Sequence, residues 1–69
     1  MKKGRVRNNI RDLRTARGLS QGTLAEQVGA TRQTINAIEQ EKYAPSLELA
    51  FRIAQAFDVS FEDVWEFER

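Results

Sequence analysis

The sequence contains no cysteine and no histidine. The first absence excludes a disulfide staple and a thiolate metal site. The second excludes Ser–His chemistry, histidine-ligated metals and imidazole acid–base catalysis. Proline occurs once, at Pro45, and marks a break between two helical patterns. No apolar run approaches the ~20 residues of a membrane span. No hydrophobic signal region follows the basic start M-K-K-G-R-V-R-N-N, so a cytosolic protein is expected, with no membrane partner. The 69 residues make one domain near the low end for an independent fold. Carboxylates are present, but none is coupled in the sequence to a nucleophile or a metal set. With the apolar residues committed to helix packing, little room is left for an active site. An enzyme is therefore not expected, nor a cofactor, a metal or a small-molecule ligand.

Charge is scarce in net terms and uneven in place. The chain carries +1 overall, but residues 1–34 carry +6 and residues 35–69 carry −5. Such asymmetry points to nucleic acid at the basic end, with the acidic half turned away from the phosphates.

One stretch organises the rest: Leu19 to Ile38, L-S-Q-G-T-L-A-E-Q-V-G-A-T-R-Q-T-I-N-A-I. Ser20 is a good N-cap, and Leu24, Ala25 and Val28 form an inward stripe. Gly29 reaches the left-handed conformation without steric cost and ends this helix. Thr31 caps a second helix that buries Ile35 and Ile38. Two helices joined by a tight turn containing Gly form a helix-turn-helix signature. At ~100° per residue, the side of the second helix opposite Ile35 and Ile38 carries Gln33 and Gln40, flanked by Asn36 and Ala37, with Arg32 in the first turn. A solvated face usually carries Glu and Lys. This one is amide-rich and small, and Asn or Gln can pair with adenine and Arg with guanine.

Read in order, the chain is expected to form a basic arm or short strand over 1–8, helices over 9–17, 20–28, 31–40, 46–57 and 60–64, and a strand over 65–68. Ile10, Leu13 and Ala16 give the first helix its core stripe. Arg11, Arg14 and Arg17 recur three apart on a neighbouring face. Ser46 caps the fourth helix, which is apolar nearly all round and so reads as a buried central strut with surface to spare. Ser60 and Asp63 make a capping-box-like start for a short fifth helix. Trp65 to Glu68 alternates apolar and polar, a strand period. Phe61, Val64, Trp65 and Phe67 are the expected interface of a two-fold dimer. The alternative is that these residues fold back and cap a monomeric core. The terminal strand is expected to pair with the arm around Val6, within one subunit or across two.

The chain resembles the Xre/Cro/C1-type helix-turn-helix family, and most closely its small stand-alone repressors of the cytolysin-repressor type. The residues that carry the resemblance are I-R-D-L-R-x-x-x-G-L-S-Q at 10–21, L-A-x-x-V-G at 24–29, T-R-Q-T-I-N-A-I-E at 31–39, K-Y-A-P-S-L-E-L-A at 42–50 and I-A-x-x-F-x-V at 53–59. The resemblance implies a mainly α, five-helix lambda-repressor-like domain with a short antiparallel β-sheet made from both chain ends, and a homodimer on double-stranded DNA. It implies base readout by Arg32, Gln33, Asn36 and Ala37. Phosphate contacts are expected from Ser20, Gln21, Thr31, Gln40, Lys42, Tyr43 and Ser46. It also implies a partly buried ion pair between Arg14 and Glu39. Two positions depart from the pattern: Glu41 stands where the family often has Gly after the third helix, and Gly22 stands where a helix former is usual.

A sequence-specific repressor on an inverted-repeat operator is the reading this supports. The competing reading is an antitoxin-like or coactivator-like adaptor that keeps the fold but binds protein. An antitoxin would normally carry an additional toxin-binding segment, whereas the acidic tail here is only about a dozen residues.

Overall fold

A computed structural model describes residues 4–69, and what the sequence suggests for Lys2 and Lys3 lies outside the described residues. The elements in order are β1 (Arg5–Asn8), α1 (Ile10–Ala16), α2 (Gln21–Val28), α3 (Arg32–Glu39), α4 (Leu47–Phe57), α5 (Phe61–Val64) and β2 (Trp65–Glu68). The architecture is mainly α with one two-stranded antiparallel sheet.

Hydroxyl side chains start the three middle helices. Ser20, Thr31 and Ser46 each hold an extended backbone and accept the N–H of the third residue onward, Thr23, Thr34 and Leu49. Each such cap satisfies one of the orphan donors of a helix start and is worth about 1 kcal/mol. Asp63 closes the start of α5 from the other direction, its carboxylate accepting the backbone N–H and the hydroxyl of Ser60.

The ends of α1 to α4 share one device. A residue with positive φ follows each helix: Gly18 (66°), Gly29 (73°), Glu41 (61°) and Asp58 (57°). In each case its N–H and that of the next residue turn back onto helix carbonyls. After α3 the bonds run from Glu41 N to Ile38 O at 2.9 Å and from Lys42 N to Ala37 O at 3.0 Å. This is the paired closure of a Schellman end. Glycine takes the left-handed conformation freely after α1 and α2. Glu41 and Asp58 take it at a cost of about 1 kcal/mol.

The core gathers Ile10, Leu24, Val28, Ile35, Ile38, Ile53, Phe57 and Val64, each 3% exposed or less, with Ala25, Ala50, Ala54 and Trp65 between them. Three sequence expectations need correction. Ala16 is exposed at the last position of α1, whose buried anchor is Ile10 at the first. Helix α4 is not buried all round: Ala50, Ile53, Ala54 and Phe57 face inward, while Leu47 and Phe51 are 67% and 49% exposed. Val64 and Trp65, expected at a dimer interface, are spent on the chain's own core. Val64 has no exposed surface, and the Trp65 indole N–H donates to Ala50 O at 3.1 Å. The chain passes from α5 into extended backbone at Trp65, which directs the indole onto α4.

Strands β1 and β2 pair within the chain, Val6 opposite Phe67 and Asn8 opposite Trp65. The sheet is stitched to the helices through asparagine. Asn8 donates to Ile38 O at 2.8 Å and accepts the Ile10 N–H, while the Asn9 side chain donates to Asp63 O. The end of α3 is thereby anchored to the start of α1.

Candidate nucleic-acid interface

Helix α3 turns Ile35 and Ile38 into the core and leaves Arg32, Gln33, Asn36 and Gln40 exposed, with Ala37 half-buried beside them. A bare arginine-and-amide face on a rigid helix can donate to, and accept from, the edges of base pairs. Exposed Lys42 and Tyr43 follow in the loop to α4, and Ser46 caps that helix. Arg32 also lines a shallow hollow with Ser20, Gln21 and Gly22 at the start of α2. Free backbone N–H groups at a helix start and a nearby guanidinium both suit an anion. A Cβ built at Gly22 would meet only the Ser20 hydroxyl, at 3.8 Å, so nothing within the chain requires glycine there.

Two carboxylates lie close to this face, and each is paired with arginine. Glu39 sits behind it, its side chain 7% exposed. Arg14 meets it with a two-pronged contact, Nε to Oε2 at 2.9 Å and Nη2 to Oε1 at 3.2 Å. The Arg14 Nη1 also donates to Leu19 O, so one guanidinium ties α1 to α3 and to the entry of α2. Hydrogen bonding to Glu39 pushes the Arg14 pKa up from the ordinary arginine value; burial opposes the rise and attraction to the carboxylate adds to it. Glu41 points back to the sheet, 3.7 Å from Arg5 Nε and 3.6 Å from Arg7 Nε, and both arginines also bond Glu68. The acid that departs from the family pattern is thus neutralised from β1. These exposed pairs are worth ~0–1 kcal/mol each, so their effect is on local charge more than on stability.

Three features here escaped the sequence. Gln21 spends both side-chain hydrogens inside the protein, on Glu39 Oε1 and on Asn36 Oδ1, each at 3.2 Å, so its backbone N–H is the donor it has left for a phosphate. Arg11 lines a polar hollow with Arg14, Gln21, Asn36, Glu39 and Gln40; its position one turn before Arg14 was the available signal. Arg17, which the three-residue spacing grouped with Arg11 and Arg14, is engaged elsewhere, donating to Phe57 O at 2.9 Å with its guanidinium 5.4 Å from the Phe57 ring centre.

A family model described as helix-turn-helix matches residues 10–64, which spans α1 through α5 and includes every residue of this face. The chain belongs to the Xre/Cro/C1-type helix-turn-helix family of DNA-binding transcriptional regulators. Members of this family regulate transcription and are not enzymes. An uncharacterized HTH-type transcriptional regulator of Bacillus subtilis is 48% identical over 60 residues, covering 87% of this regulator and 91% of the relative. An uncharacterized HTH-type transcriptional regulator of Methanocaldococcus jannaschii is 46% identical over 63 residues, 91% and 96% of the two chains. Among solved structures, the restriction-modification controller protein C.AhdI of Aeromonas hydrophila superposes with a TM-score of 0.75 at 37% identity, over 78% of this chain and 82% of the other. The regulator has the lambda-repressor-like fold, five helices and a small sheet. Among the described residues no helix is long and apolar enough to cross a membrane.

Proposed function

We propose that this regulator is a repressor that binds an inverted-repeat operator as a homodimer, with α3 in the major groove of each half-site. The observation that carries the reading is the exposed face of α3: an arginine and amides, with both neighbouring carboxylates neutralised by arginine. Arg32, Gln33, Asn36 and Ala37 meet base edges. Lys42, Tyr43, Ser46, Thr31, Gln40 and the α2 start at Ser20 and Gln21 hold phosphates. A dimer seated on its operator excludes the transcription machinery from the same groove, which is the simplest route from binding to repression.

The dimer rests on apolar surface the protomer leaves uncovered. Leu47, Phe51 and Phe67 are 67%, 49% and 64% exposed, and an apolar groove of about 300 Å³ lies between Val6, Leu47, Phe61 and Phe67. Contiguous patches of this kind on a small domain mark an interface. The interface is therefore proposed at Leu47, Phe51, Phe61 and Phe67. A two-fold axis through it makes every contact self-complementary, and reading two half-sites one turn of DNA apart requires the recognition helices to lie ~34–36 Å apart.

Two substitutions separate base readout from phosphate grip. Arg32→Ala is expected to lose about 1–3 kcal/mol on a cognate site and to relax preference at one base pair. Lys42→Ala is expected to weaken every sequence alike and to reduce the salt slope by about one. Titration of both variants on cognate and scrambled duplexes, at several salt concentrations, checks this. An identical, sequence-blind loss in both would remove Arg32 from the readout.

A further inference from the structure

The amide of Asn36 has only one end to offer. Glu39 presents a carboxylate to the Arg14 guanidinium, and a carboxylate accepts hydrogen bonds. Its Oε1 takes Gln21 Nε2 at 3.2 Å, so the nitrogen of that amide, not the oxygen, must face inward. The second hydrogen of the same nitrogen goes to Asn36 Oδ1 at 3.2 Å, and Gln40 Nε2 reaches that oxygen at 3.2 Å from the other side. An amide oxygen has two lone pairs, and both are engaged. Turning the Asn36 amide over would set its NH2 group against the NH2 group of Gln21, whose orientation Glu39 holds. The carboxylate on α3 thus fixes Gln21, Gln21 fixes Asn36, and Gln40 occupies the remaining lone pair of Asn36 Oδ1. The Asn36 Nδ2, with two hydrogens, is left on the exposed face, and among the described residues it donates to nothing.

This polarity decides which base edge Asn36 fits. The familiar asparagine–adenine pair needs Oδ1 free to accept from N6 while Nδ2 donates to N7. Here Oδ1 is committed. A pure donor is best met by guanine, which presents two acceptors, O6 and N7, in the major groove. Thymine offers one acceptor beside a methyl group, adenine pairs its acceptor with a donor, and cytosine offers a donor. We propose that Asn36 reads guanine, amide nitrogen foremost, and that Gln21 and Gln40 are positioning residues that set this preference without touching the base. The proposal rests on the reading of Asn36 as a base contact.

Selection of bound sequences from a random duplex pool tests it, run on the intact protein, on Asn36→Ala and on the double variant Gln21→Ala/Gln40→Ala. The position that Asn36 reads is the base pair whose preference disappears in Asn36→Ala. The expected identity of that pair in the intact protein is G·C. In the double variant, Oδ1 is released and A·T is expected to gain at that position by roughly fivefold or more relative to G·C. An A·T preference in the intact protein would overturn the polarity while leaving Asn36 as a base reader. A double variant that keeps the G·C preference unchanged would overturn the role of Gln21 and Gln40. No position lost in Asn36→Ala would overturn the base contact and the proposal with it. Asn36 is exposed, so its alanine variant folds, and the comparison of that variant with the intact protein decides even if the double variant is unstable.

Discussion

Replacing Arg14 with alanine is expected to cost about 3–5 kcal/mol of folding stability and to abolish DNA binding by loosening the domain. The guanidinium makes two bonds to Glu39 and one to Leu19 O, with side-chain exposures of 14% and 7% across the pair. Removing one partner of a buried, hydrogen-bonded pair strands the other without its counter-charge, which costs ~3–5 kcal/mol, whereas an exposed pair is worth ~0–1. A domain of this size rarely has more than about 3–5 kcal/mol in reserve. The variant should therefore be largely unfolded at room temperature. The raised Arg14 pKa gives the pH sign. A group raised in the folded state contributes stability below its unfolded pKa and loses it only as pH climbs through the folded value. For arginine that window lies far above neutrality, so Arg14 adds no pH dependence across the neutral range. Urea unfolding of Arg14→Ala, Glu39→Ala and the double variant at fixed protein concentration measures the coupling. A coupling energy near zero would reduce the pair to two unrelated surface charges.

Trp65→Ala is expected to lose about 3–5 kcal/mol as well, through a different mechanism. The indole is 7% exposed, bonded to Ala50 O and 6.3 Å from the Phe61 ring centre. Emptying such a site removes buried apolar area and leaves a cavity that the core cannot fully close. Trp65→Phe keeps most of the packing but drops the hydrogen bond, and should lose clearly less. Thermal unfolding followed by circular dichroism, at several protein concentrations, ranks the two. If Trp65→Ala unfolded no earlier than the intact chain and only its oligomeric state changed, the residue would be an interface side chain and not a core one.

The contrast at Trp65 shows where sequence reading stops. Ser20, Thr31, Ser46 and Gly29 signal helix ends through local chemistry, and their roles follow from neighbours one to five residues away. Periodicity also identifies Ile35 and Ile38 as the inner face and so exposes Gln33 and Asn36. Whether an aromatic near the chain end faces its own core or a partner depends on how α5 turns into β2, which no local pattern encodes. Glu41 is a second case: its pairing with Arg5 and Arg7 depends on β1, more than thirty residues away. The polarity of Asn36 is a third. The helical period identifies the residue as outward-facing, but the end of the amide it presents is set by Gln21 on another helix and, through it, by Glu39. Spacing within α3 could not have carried that information.

The most direct measurement of the central claim is the sequence pool bound by the intact protein when it is offered random double-stranded DNA. The account predicts one enriched motif, an inverted repeat whose half-site centres lie one helical turn, about 10 base pairs, apart. Binding with no enriched sequence, or a single half-site without its symmetric mate, would contradict a two-fold dimer reading DNA through α3.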